Sequence, residues 1–348
     1  MCDTEVHAHA GAVVSRGYRH RLHLVAEALV SVGRGVSYTR AAQRARAAAG
    51  RDPLTGESAG QMVAEWVDAW APVVLDALAE TEQPETLVLD STDFWWTNSS
   101  TRVRRREFAI LVAYGYTGPG KGRVWGIHAS PTTRAADYEQ LLRGLRLPAP
   151  PASIVTDDNL SVSAAVAKVW PPAGRLGLPQ PFVYACEHHL RLRALRALEL
   201  DLGRRSKEFW VARLDTAFRR SEGWAEFHEA ALPLRATRAW AQNHNQALRR
   251  QTASRHLLPQ HYSTSGAEAT AQRLRNLYEQ RSFSLRNAAR TNLLLGLTRL
   301  HLNNRDDVNT YYRILREAAE AHLGQPHSSQ RLNRDTRGAN GAPQPSLR

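Results

Sequence analysis

Three runs rich in β-branched, aromatic and aliphatic residues follow one another: Thr86 to Thr92, Glu107 to Thr117 and Arg123 to Ser130, with Gly-Pro-Gly-Lys-Gly at 118 to 122 as a turn between the last two. They predict three successive antiparallel strands. The pattern then alternates: a helix over Arg134 to Arg146, a strand over Ser153 to Thr156, a helix over Ser161 to Trp170, a strand over Pro181 to Ala185 and a helix from Glu187. A three-strand meander continued by helix and strand in turn predicts an α/β fold, α+β in its mixed sheet, with helices covering that sheet.

The flanks read as helix. Leu22, Val25, Ala26, Leu29 and Val30 recur at spacings of three and four between Arg16 and Ala79. Ser37 is placed to cap a second helix, Tyr38 to Ala49, which carries Arg40, Arg44 and Arg46. A turn-rich stretch, Gly50 to Gly60, precedes a stripe of Met62, Val63, Trp66, Val67 and Trp70. Residues 1–83 therefore form a helical region that permits either a helix-turn-helix or a plain bundle. Residues 84–203 form the first part of the sheet domain. Trp210, Leu214, Ala217, Trp224, Phe227 and Trp240 mark 204–262 as an all-helical insertion. Helices over Ala267 to Tyr278, Ala288 to Leu302 and Val308 to Leu323 place the end of the sheet domain at 263–324, and the polar tail 325–348 is expected to be disordered.

The chain of 348 residues carries 46 Lys+Arg against 33 Asp+Glu, a formal surplus of 13 positive charges. Lysine stands only at 121, 168 and 207, so arginine supplies the charge. Codon bias in a GC-rich genome enriches arginine without function but leaves the net charge unexplained. The planar guanidinium suits phosphate, so the balance points to a polyanionic partner. Cys2 and Cys186 are the only cysteines. With no secretory leader pattern and no apolar run near the roughly 18 residues of a membrane span, the expectation is a reducing cytoplasm and no membrane partner.

Asp90 follows Leu87-Val88-Leu89 and Asp157 follows Ile154-Val155-Thr156, so each acid is expected where a buried strand surfaces. The mouth beyond strand ends is a usual ligand site in open sheets. Glu268, early in a helix introduced by Ser263-Thr264-Ser265-Gly266, offers a third carboxylate. Three carboxylates at one point repel unless cations lie among them, and Mg²⁺ takes such hard oxygen ligands. Two ions can activate water or a sugar hydroxyl and stabilise the leaving oxygen of a phosphodiester. Asp93 and Asp158 compete for the first two places, and Glu279 for the third. For each aspartate the bland alternative is a turn former at a strand end.

These residues resemble a DDE transposase of the Mutator superfamily, in a form common among high-GC bacteria. Four stretches carry the likeness between about 84 and 305: Leu87-Val88-Leu89-Asp90-Ser91-Thr92; Ile154-Val155-Thr156-Asp157-Asp158; Cys186-Glu187-His188-His189; and Thr264-Ser265-Gly266-Ala267-Glu268 with Phe283-Ser284-Leu285-Arg286-Asn287 and Arg290-Thr291-Asn292-Leu293-Leu294. The strand and helix order is likewise similar to that of the ribonuclease H-like fold. The resemblance implies Asp90, Asp157 and Glu268 as the catalytic, metal-holding triad, with two Mg²⁺ ions for which Mn²⁺ can substitute. Cys186 and His189 take a supporting role. The chain departs from the family in having Asp158 where glycine usually follows the second acid, and in lacking a cysteine-rich N-terminal segment.

Arg102, Arg104, Arg105 and Arg106, between the first two strands, and Arg191, Arg193 and Arg196, on the helix after the Cys-x-x-His pair, are candidate DNA-phosphate contacts or solvated charged faces. Trp95 and Trp96 are either packing residues or base-stacking platforms. Zinc at the Cys-x-x-His pair is disfavoured, since a structural site takes four ligands. The expected function is transposition: hydrolysis at the terminal inverted repeats of an element, then attack of the freed 3′-hydroxyl on target DNA, in the bacterial nucleoid, with a homo-oligomer assembled on paired ends. The alternatives are a domesticated or decayed DNA binder and a nuclease of the same fold.

Overall fold

The computed structural model describes residues 19–48, 57–97, 101, 104–118, 120–157, 159–171, 180–206, 208–257, 264–278 and 287–323. The expected tail 325–348, the acids at 158 and 279, Arg102 and most of the turn-rich stretch Gly50 to Gly60 lie outside these residues.

Five strands, β1 (Thr86–Thr97), β2 (Arg104–Tyr116), β3 (Gly122–Ser130), β4 (Ser153–Thr156) and β5 (Phe182–Ala185), form one sheet in the order β3-β2-β1-β4-β5. The first three pair antiparallel, as expected from the meander, while β1 with β4 and β4 with β5 pair parallel. Successive side chains alternate between faces. Leu87, Leu89, Leu111 and Ile154 bury one face beneath α4 (Ala135–Gly144) and α5 (Leu160–Val169), through Tyr138, Leu141, Val162 and Val166. Val88, Ile110, Val112 and Val155 bury the other in a core shared with α1 (Arg19–Gly33), α2 (Tyr38–Ala48), α3 (Glu57–Ala77), α10 (Ser265–Tyr278), α11 (Ala288–Leu302) and α12 (Val308–Leu323). The result is a helix, sheet, helix sandwich.

The N-terminal helices form as their stripes predict: Leu22, Val25, Ala26, Leu29 and Val30 are all buried, and the Ser37 hydroxyl accepts the Arg40 N–H at 3.3 Å to cap α2. The turn-rich reading of Gly50 to Gly60 is corrected at its end, because α3 already begins at Glu57. Between β5 and α10 the chain forms α6 (Glu187–Ser206), α7 (Glu208–Arg219), α8 (Ser221–Ala230) and α9 (Arg235–Ala253). They close around a core of their own in which Leu214, Ala217, Trp224, Phe227 and Trp240 are buried and Leu190, Ala194 and Leu198 of α6 are buried as well.

Side-chain amides occupy both outer strands. Asn292 pairs with the backbone N–H and C=O of Ala129, and Asn303 does the same at Val124, so α11 covers the free edge of β3. On β5, Gln251 of α9 pairs with the N–H and C=O of Ala185. These contacts satisfy backbone groups that an open edge would leave to another chain. None of the described helices is long and apolar enough to cross a membrane.

Candidate active site

The sequence reading placed Asp90 at the end of its strand. In the structure β1 continues to Thr97, held by the long β2, and Asp90 lies within it opposite Val112. The short neighbour stops instead. Leu89 and Thr156 are the last partners between β1 and β4, so Asp90 and Asp157 are the next residue on each of two adjacent parallel strands. Val88 and Val155, two residues earlier, both face the shared core, so alternation puts the two carboxylates on that same side. Asp93 falls on the opposite face by the same alternation and is exposed, in an ion pair with Arg106 at 2.7 Å.

Glu268 arrives from α10, which packs on that side of the sheet. Gly266 lets it approach: a Cβ there would lie 2.7 Å from the Tyr114 ring of β2. Asp90, Thr92, Ser265, Glu268, Gln272 and Arg275 line a shallow cleft of about 480 Å³. The charges of the other two acids reach Asp90. Asp90 is pushed up from 3.8 to about 6, chiefly by burial, with the charges of Asp157 and Glu268 adding to it and the Ser91 N–H and Arg275 opposing. Tyr138, beneath the sheet, is pushed up to about 12, first by burial and further by Asp157 and Asp90.

The third acid is tethered. The Thr264 hydroxyl donates to Glu268 Oε1 at 2.5 Å, and His189 Nε2 lies 3.5 Å from the same oxygen. Cys186 is buried at the end of β5, its N–H donating to the Thr156 carbonyl beside Asp157. Its Sγ and His189 Nδ1 both contact the Thr264 hydroxyl, at 3.5 and 3.3 Å. The Cys-x-x-His pair thus adjoins the acids. Glu187, between them in sequence, turns away to Arg255 at 2.6 Å. As placed, no group of three His, Cys, Asp or Glu side chains among the described residues is gathered closely enough to hold an ion.

The arginines divide. Arg193 approaches Asp157 at 3.9 Å, and Arg196 is exposed on the same helix. Arg191 instead pairs with Asp215 at 2.8 Å and stacks over Phe218, binding α6 to α7. The loop position expected for Arg104, Arg105 and Arg106 is corrected, since all three belong to β2. Of these, only the Arg106 side chain is described, as are those of Trp95 but not of Trp96. Sequence reasoning missed Arg275, whose Nε is buried without a hydrogen-bond partner. It stands seven residues after Glu268, two helical turns on, and that spacing was the available signal. Thr264 was read only as part of a helix start.

The donor set suits a hard divalent cation. Asp90 and Glu268 line the same cleft, Asp157 is the neighbouring residue on the adjacent strand, and a cation would offset the burial and the like charges that raise Asp90. Comparison with protein-family models and with curated proteins finds no match. The assignment of a function therefore rests on the residues and their arrangement.

Proposed function

We propose that this chain is a DNA transposase of the DDE type, similar to the Mutator superfamily, with a ribonuclease H-like catalytic core interrupted by a helical insertion. The observation that carries the reading is geometric: Asp90 and Asp157 follow the last paired residues of two adjacent parallel strands, and Glu268 of α10 lines the cleft that Asp90 opens into, with burial and the two other acids raising Asp90. The sheet order and the helices α6 to α9 between β5 and α10 support the fold assignment. The excess of arginine supports a DNA partner.

Asp90, Asp157 and Glu268 would hold Mg²⁺ or Mn²⁺, two ions in the full site. When bound, these ions supply polarisation of the phosphodiester and activation of water or a 3′-hydroxyl. Asp90 must give up its proton to serve as a ligand, so cation uptake strengthens as pH rises through about 6. Arg275, on the cleft wall, would take a substrate phosphate, and the exposed Arg193 and Arg196 of α6 would take backbone phosphates. Thr264 and His189 hold Glu268.

The test is Mg²⁺-dependent cleavage of a duplex carrying the DNA that flanks the gene, followed by joining of the product to a plasmid. Asp90→Ala, Asp157→Ala and Glu268→Ala should each lower cleavage by about 1,000-fold, the several kcal/mol that metal polarisation supplies. Cleavage persisting in all three variants would refute the triad. Cleavage without joining indicates a nuclease of the same fold, and DNA binding with no carboxylate-dependent cation uptake indicates a decayed binder.

A further inference from the structure

The Cys-x-x-His pair and Thr264 form a buried junction between the start of α6 and the start of α10. Thr264 is 1% exposed and Cys186 1%, whereas the Glu268 side chain is 46% exposed. We propose that Thr264 is a positioning residue for Glu268, and that Cys186 and His189 act on the acidic cleft through its hydroxyl. This inference rests on the function proposed above.

A hydroxyl has one proton and two lone pairs. Three groups surround this one. The hydroxyl donates to Glu268 Oε1, the nearest at 2.5 Å, with Cys186 Sγ a longer acceptor at 3.5 Å, and His189 Nδ1 lies 3.3 Å from the same hydroxyl oxygen. The hydroxyl is thereby held between its own helix, His189 of α6 and Cys186 at the end of β5. A threonine beginning a helix ordinarily turns its oxygen to a first-turn N–H. Here the Thr264 carbonyl serves the helix, accepting the Glu268 N–H at 2.9 Å, while the hydroxyl is given to the carboxylate.

The consequence falls on the half-exposed glutamate. Free in solvent, a glutamate side chain samples many rotamers, and a cation must restrict it. With Oε1 tied to a buried hydroxyl, much of that restriction is in place beforehand. Residues that orient a metal ligand in this way change metal affinity by about 10- to 100-fold when removed. Thr264→Val keeps the shape, retains the backbone bond and removes the tether.

Mn²⁺ binding to the full chain, followed by the paramagnetic signal of the free ion, tests the proposal without DNA. Thr264→Val should bind Mn²⁺ about tenfold more weakly than wild type, and Thr264→Ser should bind as wild type does. The double variant Thr264→Val with Glu268→Gln should bind no more weakly than Glu268→Gln alone, because the hydroxyl acts through that carboxylate. His189→Ala, at a half-buried position, provides a second probe should Thr264→Val melt early: it should weaken binding several-fold, and only when Glu268 is present. Wild-type affinity in Thr264→Val, or losses that multiply in the double variant, overturns the positioning role and leaves the triad standing. A wild type that takes up no Mn²⁺ overturns the proposed function, and the positioning role falls with it.

Discussion

Replacing Asp90 with Asn in a chelator should stabilise the protein, and the gain should depend on pH. The Asp90 carboxyl moves from 3.8 to about 6 on folding because burial, and then the charges of Asp157 and Glu268, oppose its ionisation. The folded state therefore holds this proton more tightly than the unfolded chain. Below about pH 3.8 both states are protonated and the group costs nothing. As pH rises from there to about 6 the unfolded chain loses its proton first, stability falls, and above the folded value the loss is constant. At about 1.36 kcal/mol per pH unit the full cost is about 3 kcal/mol. Asparagine keeps an oxygen for the Ser91 N–H, which Asp90 Oδ1 accepts at 2.8 Å, and carries no charge.

Urea unfolding of wild type and Asp90→Asn in EDTA, from pH 5 to 7.5, reports on this group, since titrations of groups remote from it cancel in the difference. The variant should be more stable by up to about 3 kcal/mol at pH 7.5, and the gap should shrink by about 1.4 kcal/mol at pH 5. Saturating Mg²⁺ should then close it, because a ligand at about 100 times its dissociation constant adds about 2.7 kcal/mol to whichever protein binds it, here the wild type. A variant less stable than wild type at pH 7.5 in EDTA, or a gap that does not change with pH, would refute the claim that burial and the neighbouring acids oppose ionisation of Asp90.

Other perturbations separate cleft from scaffold. Arg275→Ala should weaken binding of a short duplex and lower its salt dependence by about one counterion without changing the melting temperature, as measured by fluorescence anisotropy across a salt series. Arg191→Ala, in contrast, breaks the contacts to Asp215 and Phe218, and should register in the melting temperature more than in DNA affinity. Glu80 is buried among Arg299, Arg305 and Arg123, and Arg299 is itself 11% exposed. Glu80→Gln strands these charges and should cost about 3 kcal/mol or more in urea unfolding. Gly266→Ala forces a methyl against Tyr114, so it should shift the start of α10 and depress Mn²⁺ affinity even where the fold survives a circular-dichroism melt.

What the sequence revealed and what it withheld follow from how far each signal reaches. A helix is announced by its own residues, so α11 and α12 run over Ala288–Leu302 and Val308–Leu323 as expected, and α6 begins at Glu187. β4, Ser153–Thr156, was legible for the same reason. β1 was not. Asp-Ser-Thr-Asp after Leu89 reads locally as a strand end, but the pairing of β1 with β2 carries it to Thr97, and the same pairing draws Arg104 to Arg106 out of their expected loop. Asp90 is open on one side because β4 ends beside it, which no property of the 86 to 97 segment records.

The same division governs the site. Residue type, two flanking apolar runs and a helix start nominate Asp90, Asp157 and Glu268 as the acids of the proposed site. The parts that tune them are relational: Arg193 matters by its approach to Asp157, Arg191 is claimed by Asp215, and Thr264 joins residues from two helices. A hydroxyl placed four residues before a glutamate looks like an ordinary helix start until Cys186 and His189 are folded onto it. Acids can therefore be read from a chain as chemistry, while the groups that aim them become visible only as geometry, and the threonine is the residue at which the two accounts can be made to disagree.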